Sequence, residues 1–157
     1  MDLVIREATV EDLPAAAELW KKMDDFHRSL GFTFPRAEDA AEKWADGYRR
    51  TLGRFSFIWL AEKDGKAEAF LSGWVKLAPT HLGGVKIGEL NDQFVTEAVR
   101  RMGVGTKLAL TAEQKFRELG VHSIEIRILI ANTISQDLWL KKLGYKPDLI
   151  MARKVLE

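Results

Sequence analysis

The stretch that most constrains this chain runs from Glu89 to Leu110, ELNDQFVTEAVRRMGVGTKLAL. It opens as an extended strand, passes through a turn rich in arginine and glycine, and ends as the start of an amphipathic helix. Arg100, Gly103 and Gly105 stand at the spacing R-x-x-G-x-G after the apolar pair Phe94-Val95. Glycines there let the backbone adopt positive φ and approach a ligand closely. The helix that follows begins with unpaired N–H groups aimed at the turn, and its dipole favours an anion. A strand leading into such a turn suits a phosphate. Two other phosphate motifs fit poorly. Gly-Val-Gly-Thr-Lys puts Thr106 before Lys107, the reverse of a P-loop, and a dinucleotide fingerprint would need glycine where Leu108 stands.

At 157 residues the chain is expected to form one domain, 1–157, with a core of its own. Its net charge of +1 announces neither nucleic acid nor a membrane surface. There is no cysteine, which excludes disulfides, thiolate zinc sites and a cysteine nucleophile, and which fits a cytoplasmic location. The N-terminus lacks the pattern of a signal peptide, and no run is long and apolar enough for a membrane span. His27, His81 and His122 have no ligand spacing, so no metal is expected.

The periodicities give an ordered set of elements. Leu3-Val4-Ile5 reads as a strand. Thr9 to Asp12 partly matches a capping box, and Pro14 stands in the first turn of a helix from Leu13 to Leu30. A second helix covers Ala37 to about Leu52. Strands at 55–61 and 67–77 flank the hairpin turn Lys63-Asp64-Gly65-Lys66, with Gly73 able to mark a bulge. A strand follows from Val85 to Val95. The helix after the glycine turn, Thr106 to Leu119, offers Leu108, Leu110, Ala112 and Phe116 to a core. A strand at 121–130, a helix from Ile134 to Leu143 and a last strand within 145–155 complete the order β-α-α-β-β-β-α-β-α-β. The class is α/β, a mixed, mostly antiparallel sheet flanked by helices.

Both the loop motif and this order resemble the GNAT superfamily of acyl-CoA-dependent N-acetyltransferases, across essentially the whole chain. The resemblance implies that Arg100, Arg101, Met102, Gly103, Val104 and Gly105, with Thr106 opening the helix, hold the CoA pyrophosphate. It implies that Phe94 and Val95 carry the strand edge that pairs with the pantetheine arm, and that Asn132 makes a polar contact with that arm. The expected activity is acetyl transfer from acetyl-CoA, as co-substrate, to a primary amine by direct attack. No metal, nucleic acid or membrane is expected to take part, and a homodimer is left open.

Such a transfer requires a base to take a proton from the incoming ammonium. Strict alternation puts Val85, Ile87 and Glu89 on one face of the strand and Leu90, Asp92 and Phe94 on the other, unless a bulge shifts the parity. Glu89 lies six residues before Val95, the spacing of a frequent base in the family, and Asp92 is the second candidate. The plainer role for Glu89 is a structural acid paired with a lysine or arginine on a neighbouring strand.

The general acid departs from the family pattern. Where relatives place a tyrosine, the segment from Asn132 to Tyr145 is one residue longer and offers Trp139 or Leu140, neither of which can protonate a thiolate. Water, Ser135 or unassisted departure of the thiolate remain. Trp20 and Trp44 lie on the two early helices, which wall the acceptor side in the family, and Asp24, Asp25, Glu38 and Asp39 could attract a cation there. A relative that binds acyl-CoA without turnover, as a sensor or interaction module, and transfer to a protein amine are the alternative readings.

Overall fold

A computed structural model describes residues 3–157. Five strands form one sheet in the order β1-β2-β3-β4-β5: Leu3–Glu7, Ser56–Lys63, Lys66–Leu77, Lys86–Val95 and Ser123–Ile126. The first three neighbouring pairs are antiparallel and β4 with β5 is parallel. Helices α1 (Leu13–Ser29) and α2 (Ala40–Arg49) pack on one face. Helix α3 (Val104–Glu118) packs on the other. Helix α4 starts at Thr133–Gln136 and continues as a π-helix over Asp137–Lys142. No helix among the described residues is long and apolar enough to cross a membrane.

Local chemistry accounts for the early elements. The Thr9 N–H donates to the Asp12 carboxylate at 2.8 Å ahead of α1, which takes Pro14 in its first turn, where no N–H is needed. The β2–β3 turn has Asp64 at φ 52° and Gly65 at φ 81°, both left-handed, as a tight two-residue hairpin demands.

The core has two halves, separated by the sheet. Against α3 lie Phe57, Trp59, Leu71, Leu90 and Phe116; against α1 and α2 lie Ile58, Leu60, Phe70, Leu13 and Tyr48. Alternate residues of β2 and β3 thus feed opposite halves, which is why these strands are apolar nearly throughout. On α3 the buried residues include Ala109 rather than Leu110, which is half exposed. The reason is angular: at about 100° per residue Leu110 lies roughly opposite Leu108, whereas Ala109 borders the stripe of Val104, Leu108, Ala112 and Phe116; the helix itself begins at Val104, two residues earlier than its sequence suggests.

Two expected strands change. Strand β5 is confined to Ser123–Ile126, and residues 145–155 form no strand. A four-residue β5 offers little edge for a sixth strand, and Pro147 removes one of the tail's donors.

Candidate active site

The centre of the site is a bulge in β4. Pairing of β3 with β4 runs from Ala69↔Val95 to Ser72↔Asp92, then resumes at Gly73↔Leu90, so Asn91 is the extra residue. Gly73 is required opposite it, because a Cβ there would lie 2.5 Å from the carbonyl oxygen of Glu89. The bulge corrects the parity of β4. Glu89 pairs with Trp74 and Asp92 with Ser72, and both partners touch Tyr48 of α2. Glu89 and Asp92 therefore share the α1–α2 face.

The bulge also ends the pairing of β4 with β5, whose last matched residues are Leu90 and Ile126. From Asn91 to Val95, β4 pairs with β3 alone, so no strand covers its other edge, although the Val95 carbonyl takes Arg100 Nε. A bulge increases local twist and bends its strand, which separates β4 from β5 at this point. Phe94 and Val95 lie on that uncovered edge. Their side chains pack into opposite halves of the core, so the backbone is what the slot between the strands offers.

The slot runs into the arginine–glycine turn. A short 3-10 turn, Glu97–Val99, is followed by Arg101 at φ 65° and Gly103 at φ 70°. Among the described residues no protein acceptor takes the backbone N–H groups of Arg101, Met102, Gly103, Val104, Gly105 and Thr106. The first inward bond of α3 is Lys107 N–H to the Gly103 carbonyl at 3.0 Å. Successive free donors at a helix start, with the dipole behind them, are chemistry that suits an anion. Arg100 is steadied by two bonds, Nε donating to the Val95 carbonyl at 3.1 Å and Nη1 to the Glu97 carboxylate at 2.6 Å. Gln93 ties the loop to β4 by donating to the Gly105 carbonyl at 3.3 Å. Gly105 is tightly packed: a Cβ would come 3.1 Å from the Leu138 side chain of the π-helical segment, which would have to shift by a few tenths of an ångström.

The two candidate carboxylates differ in environment. Glu89 forms an ion pair with Lys76 of β3 at 2.5 Å, and Lys76 also reaches Glu125 of β5 at 3.0 Å. Among the described residues Asp92 has no cationic partner. It accepts from Trp44 Nε1 at 2.9 Å and stands opposite Ser72 of β3. Burial pushes its carboxyl up to about 6, against the opposing pull of Trp44 and the Ser72 hydroxyl. Behind it, Tyr48 Oη donates to Ser72 Oγ at 3.0 Å. Burial raises the Tyr48 pKa, with the nearby Asp92 charge adding to it, so the phenol stays protonated.

From this contrast we expect Glu89→Gln to act mainly on folding. Losing a partly exposed ion pair should lower stability by about 1 kcal/mol, with turnover per folded molecule close to that of the parent protein. A hundredfold loss of turnover at unchanged stability would instead make Glu89 the base.

Asn132 caps α4, its Oδ1 accepting from the Ser135 N–H at 3.1 Å. The extra residue between Asn132 and Gly144 is absorbed by the π-helix, in which Leu143 N–H bonds back five residues to the Leu138 carbonyl. Trp139 is fully buried with its indole N–H unpartnered, packed edge-on against Tyr145 at 5.1 Å. Tyr145 Oη donates to Glu113 of α3 at 3.1 Å, so its hydroxyl is turned away from the β4–β5 slot. The acids of the early helices are mostly engaged. Asp24 is buried between Arg28 (2.8 Å) and Arg36 (2.7 Å), Asp25 meets Arg36 and Asp39 meets Lys43. Among the described residues no cluster of His, Asp or Glu could hold a metal ion.

Sequence reading missed Ser72, Tyr48, Lys76 and Gln93. Ser72 had a signal, as a lone hydroxyl in the buried run Ala69-Phe70-Leu71-Ser72. Tyr48, four residues after Trp44, shares its helix face. Lys76 and Gln93 carry no such mark.

A family model described as the Acetyltransferase (GNAT) family matches residues 16–145. No curated protein matches the chain. Among solved structures, the aminoglycoside N-acetyltransferase AAC(6')-Iy in complex with CoA is 19% identical, with a TM-score of 0.77 over 98% of this chain and 95% of that one. A tetramutant of the BH1408 protein from Bacillus halodurans is 20% identical, with a TM-score of 0.81 over 98% and 99%. Glucosamine-6-phosphate N-acetyltransferase from Arabidopsis thaliana is 17% identical, with a TM-score of 0.71 over the full length of both. At these identities the likeness is one of fold.

Proposed function

Because this chain belongs to the acetyltransferase (GNAT) family, we propose that it transfers an acetyl group from acetyl-CoA to a primary amine, with Asp92 as the proton acceptor. The observation that carries the reading is a juxtaposition along β4 among the described residues: a half-buried carboxylate with no cationic partner, an uncovered strand edge, and six unpaired N–H groups at the edge's end. The N–H groups of residues 101–106 would hold the pyrophosphate, with Arg100 and Arg101 adding positive charge. The uncovered edge at Phe94 and Val95 would pair with the amide groups of the pantetheine arm, with Asn132 of α4 a further polar contact. Acetyl-CoA supplies the activated thioester.

Asp92 does the chain's own proton chemistry. It draws the ammonium of the acceptor to the α1–α2 face, takes one proton and leaves a neutral nitrogen lone pair. The new bond joins that nitrogen to the acetyl carbon, and the C–S bond breaks. The second nitrogen proton leaves with the sulfur or through water, since neither Trp139, sealed in the core, nor Leu140, the two residues that fall at the family's tyrosine position, can donate one. Trp44 holds Asp92 in place opposite Ser72, and the Tyr48 hydroxyl fixes Ser72.

Incubation with acetyl-CoA and primary amines should release free CoA with formation of the amide. The buried Trp139 favours one other reading, an acyl-CoA binder without turnover. Tight CoA binding with no release above the uncatalysed rate for any small-molecule or peptide amine would establish that reading and overturn ours.

A further inference from the structure

Four aromatic side chains form a continuous row over the α1–α2 face beside Asp92. Trp20 stacks on Trp44 with centroids 6.0 Å apart, Trp44 meets Tyr48 at 5.1 Å, and Tyr48 meets Trp74 at 6.0 Å. Trp20 and Trp44 are partly exposed and Trp74 is 38% exposed, with Tyr48 buried between Trp44 and Trp74, so the indoles of the row are open to solvent while its centre is core. Trp44 joins the row to the acid through its bond from Nε1 to Asp92.

The charges around the row are as informative as the row. Of the acids on this face, Glu89 is neutralised by Lys76, and Asp24 by Arg28 and Arg36. Among the described residues, Asp92 is the one buried or half-buried acid of this face without an ion-pair partner. A polyamine or an aminoglycoside needs several separated acids, because each extra ammonium brought to a half-buried surface must be paired or kept in water. One carboxylate beside a run of π-faces suits one ammonium carried on an apolar body. We propose that the acceptor is a primary monoamine with an aromatic or bulky apolar body, whose ammonium meets Asp92 and whose body lies on the indoles of the Trp20–Trp44–Tyr48–Trp74 row.

This inference rests on the acetyl-transfer reading, and a panel of amines separates the two. With acetyl-CoA saturating, kcat/KM is measured for 2-phenylethylamine, ethylamine, spermidine and an aminoglycoside. The expected result is that 2-phenylethylamine exceeds each of the others by about tenfold or more, the scale of a desolvated cation–aromatic contact plus ring burial. Trp20→Ala and Trp74→Ala should each raise KM for 2-phenylethylamine several-fold while changing kcat/KM for ethylamine less than twofold. Spermidine or the aminoglycoside turning over as well as 2-phenylethylamine would overturn the inference and leave acetyl transfer standing. An equal loss for both monoamines in the tryptophan variants would also overturn it, by making the row purely structural. If no amine is acetylated, quenching of tryptophan fluorescence by 2-phenylethylamine decides: saturable quenching that is lost in Trp20→Ala supports the aromatic site, and its absence rejects it.

Discussion

Asp92→Asn is expected to lower turnover by about a hundredfold to ten-thousandfold, the usual contribution of a positioned base. Asparagine can still accept the Trp44 N–H but cannot take a proton. CoA binding, read by thermal shift, should be unchanged, because the anion loop lies beyond the end of β4. In the parent protein the rate should rise with pH through about 6 as Asp92 ionises, and that limb should vanish in the variant. The stability sign is opposite to that of a salt-bridged acid. A carboxyl with a raised folded-state pKa holds its proton more tightly folded than unfolded, so stability falls as pH rises between about 4 and 6. Above that window the full cost of burying the charge is in place. Asp92→Asn removes the cost and should melt at or above the parent's temperature at pH 7.5 while being nearly inactive. A variant that is both less stable and fully active per folded molecule would mark Asp92 as structural and return the role of base to Glu89 or water.

The second large effect is expected at Gly103. CoA at about a hundredfold over its Kd should stabilise the folded state by about 2.7 kcal/mol, which for a domain of this size is a rise of roughly 5 to 10 °C in Tm. Gly103→Val should abolish that rise. Its φ of 70° is a conformation that a β-branched residue adopts only under strain, of order 1–3 kcal/mol. No neighbour lies within 4 Å of a Cβ built there, so the added bulk projects into the space the anion would occupy. Gly120→Val is the matched control: φ is 72°, the surroundings are equally open, and the residue follows the far end of α3. Both variants should lose similar intrinsic stability, and only Gly103→Val should lose the response to CoA. A native response in Gly103→Val would place the pyrophosphate elsewhere.

The chain's own sequence was enough to place the arginine–glycine turn at the start of a helix and to order the elements up to the last helix, because those features are local. Arg100-x-x-Gly103-x-Gly105 sits between a strand and a helix, and free donors at a helix start follow from backbone geometry alone. The hairpin at Asp64-Gly65 and the stop at Gly144 are legible for the same reason. The contrast between the two candidate acids was not legible. Which acid is neutralised depends on the register that sets Lys76 within reach of Glu89 and leaves Asp92 with only Trp44 and Ser72, contacts spanning 13, 48 and 20 positions of chain. Gly73 hinted at a bulge, but only the β3–β4 pairing shows Asn91 as the extra residue, and that one insertion decides three things together. It turns Glu89 and Asp92 to the same face, it parts β4 from β5, and it shortens β5 so that no sixth strand forms beside it. The π-helix is a similar case: the sequence is one residue long between Asn132 and Gly144, and tertiary packing of Leu138 on Gly105 and Trp139 in the core dictates where that residue is absorbed. Local patterns specify elements through the backbone's own few conformations, whereas the electrostatics of a site belong to long-range register, which no single stretch of chain encodes.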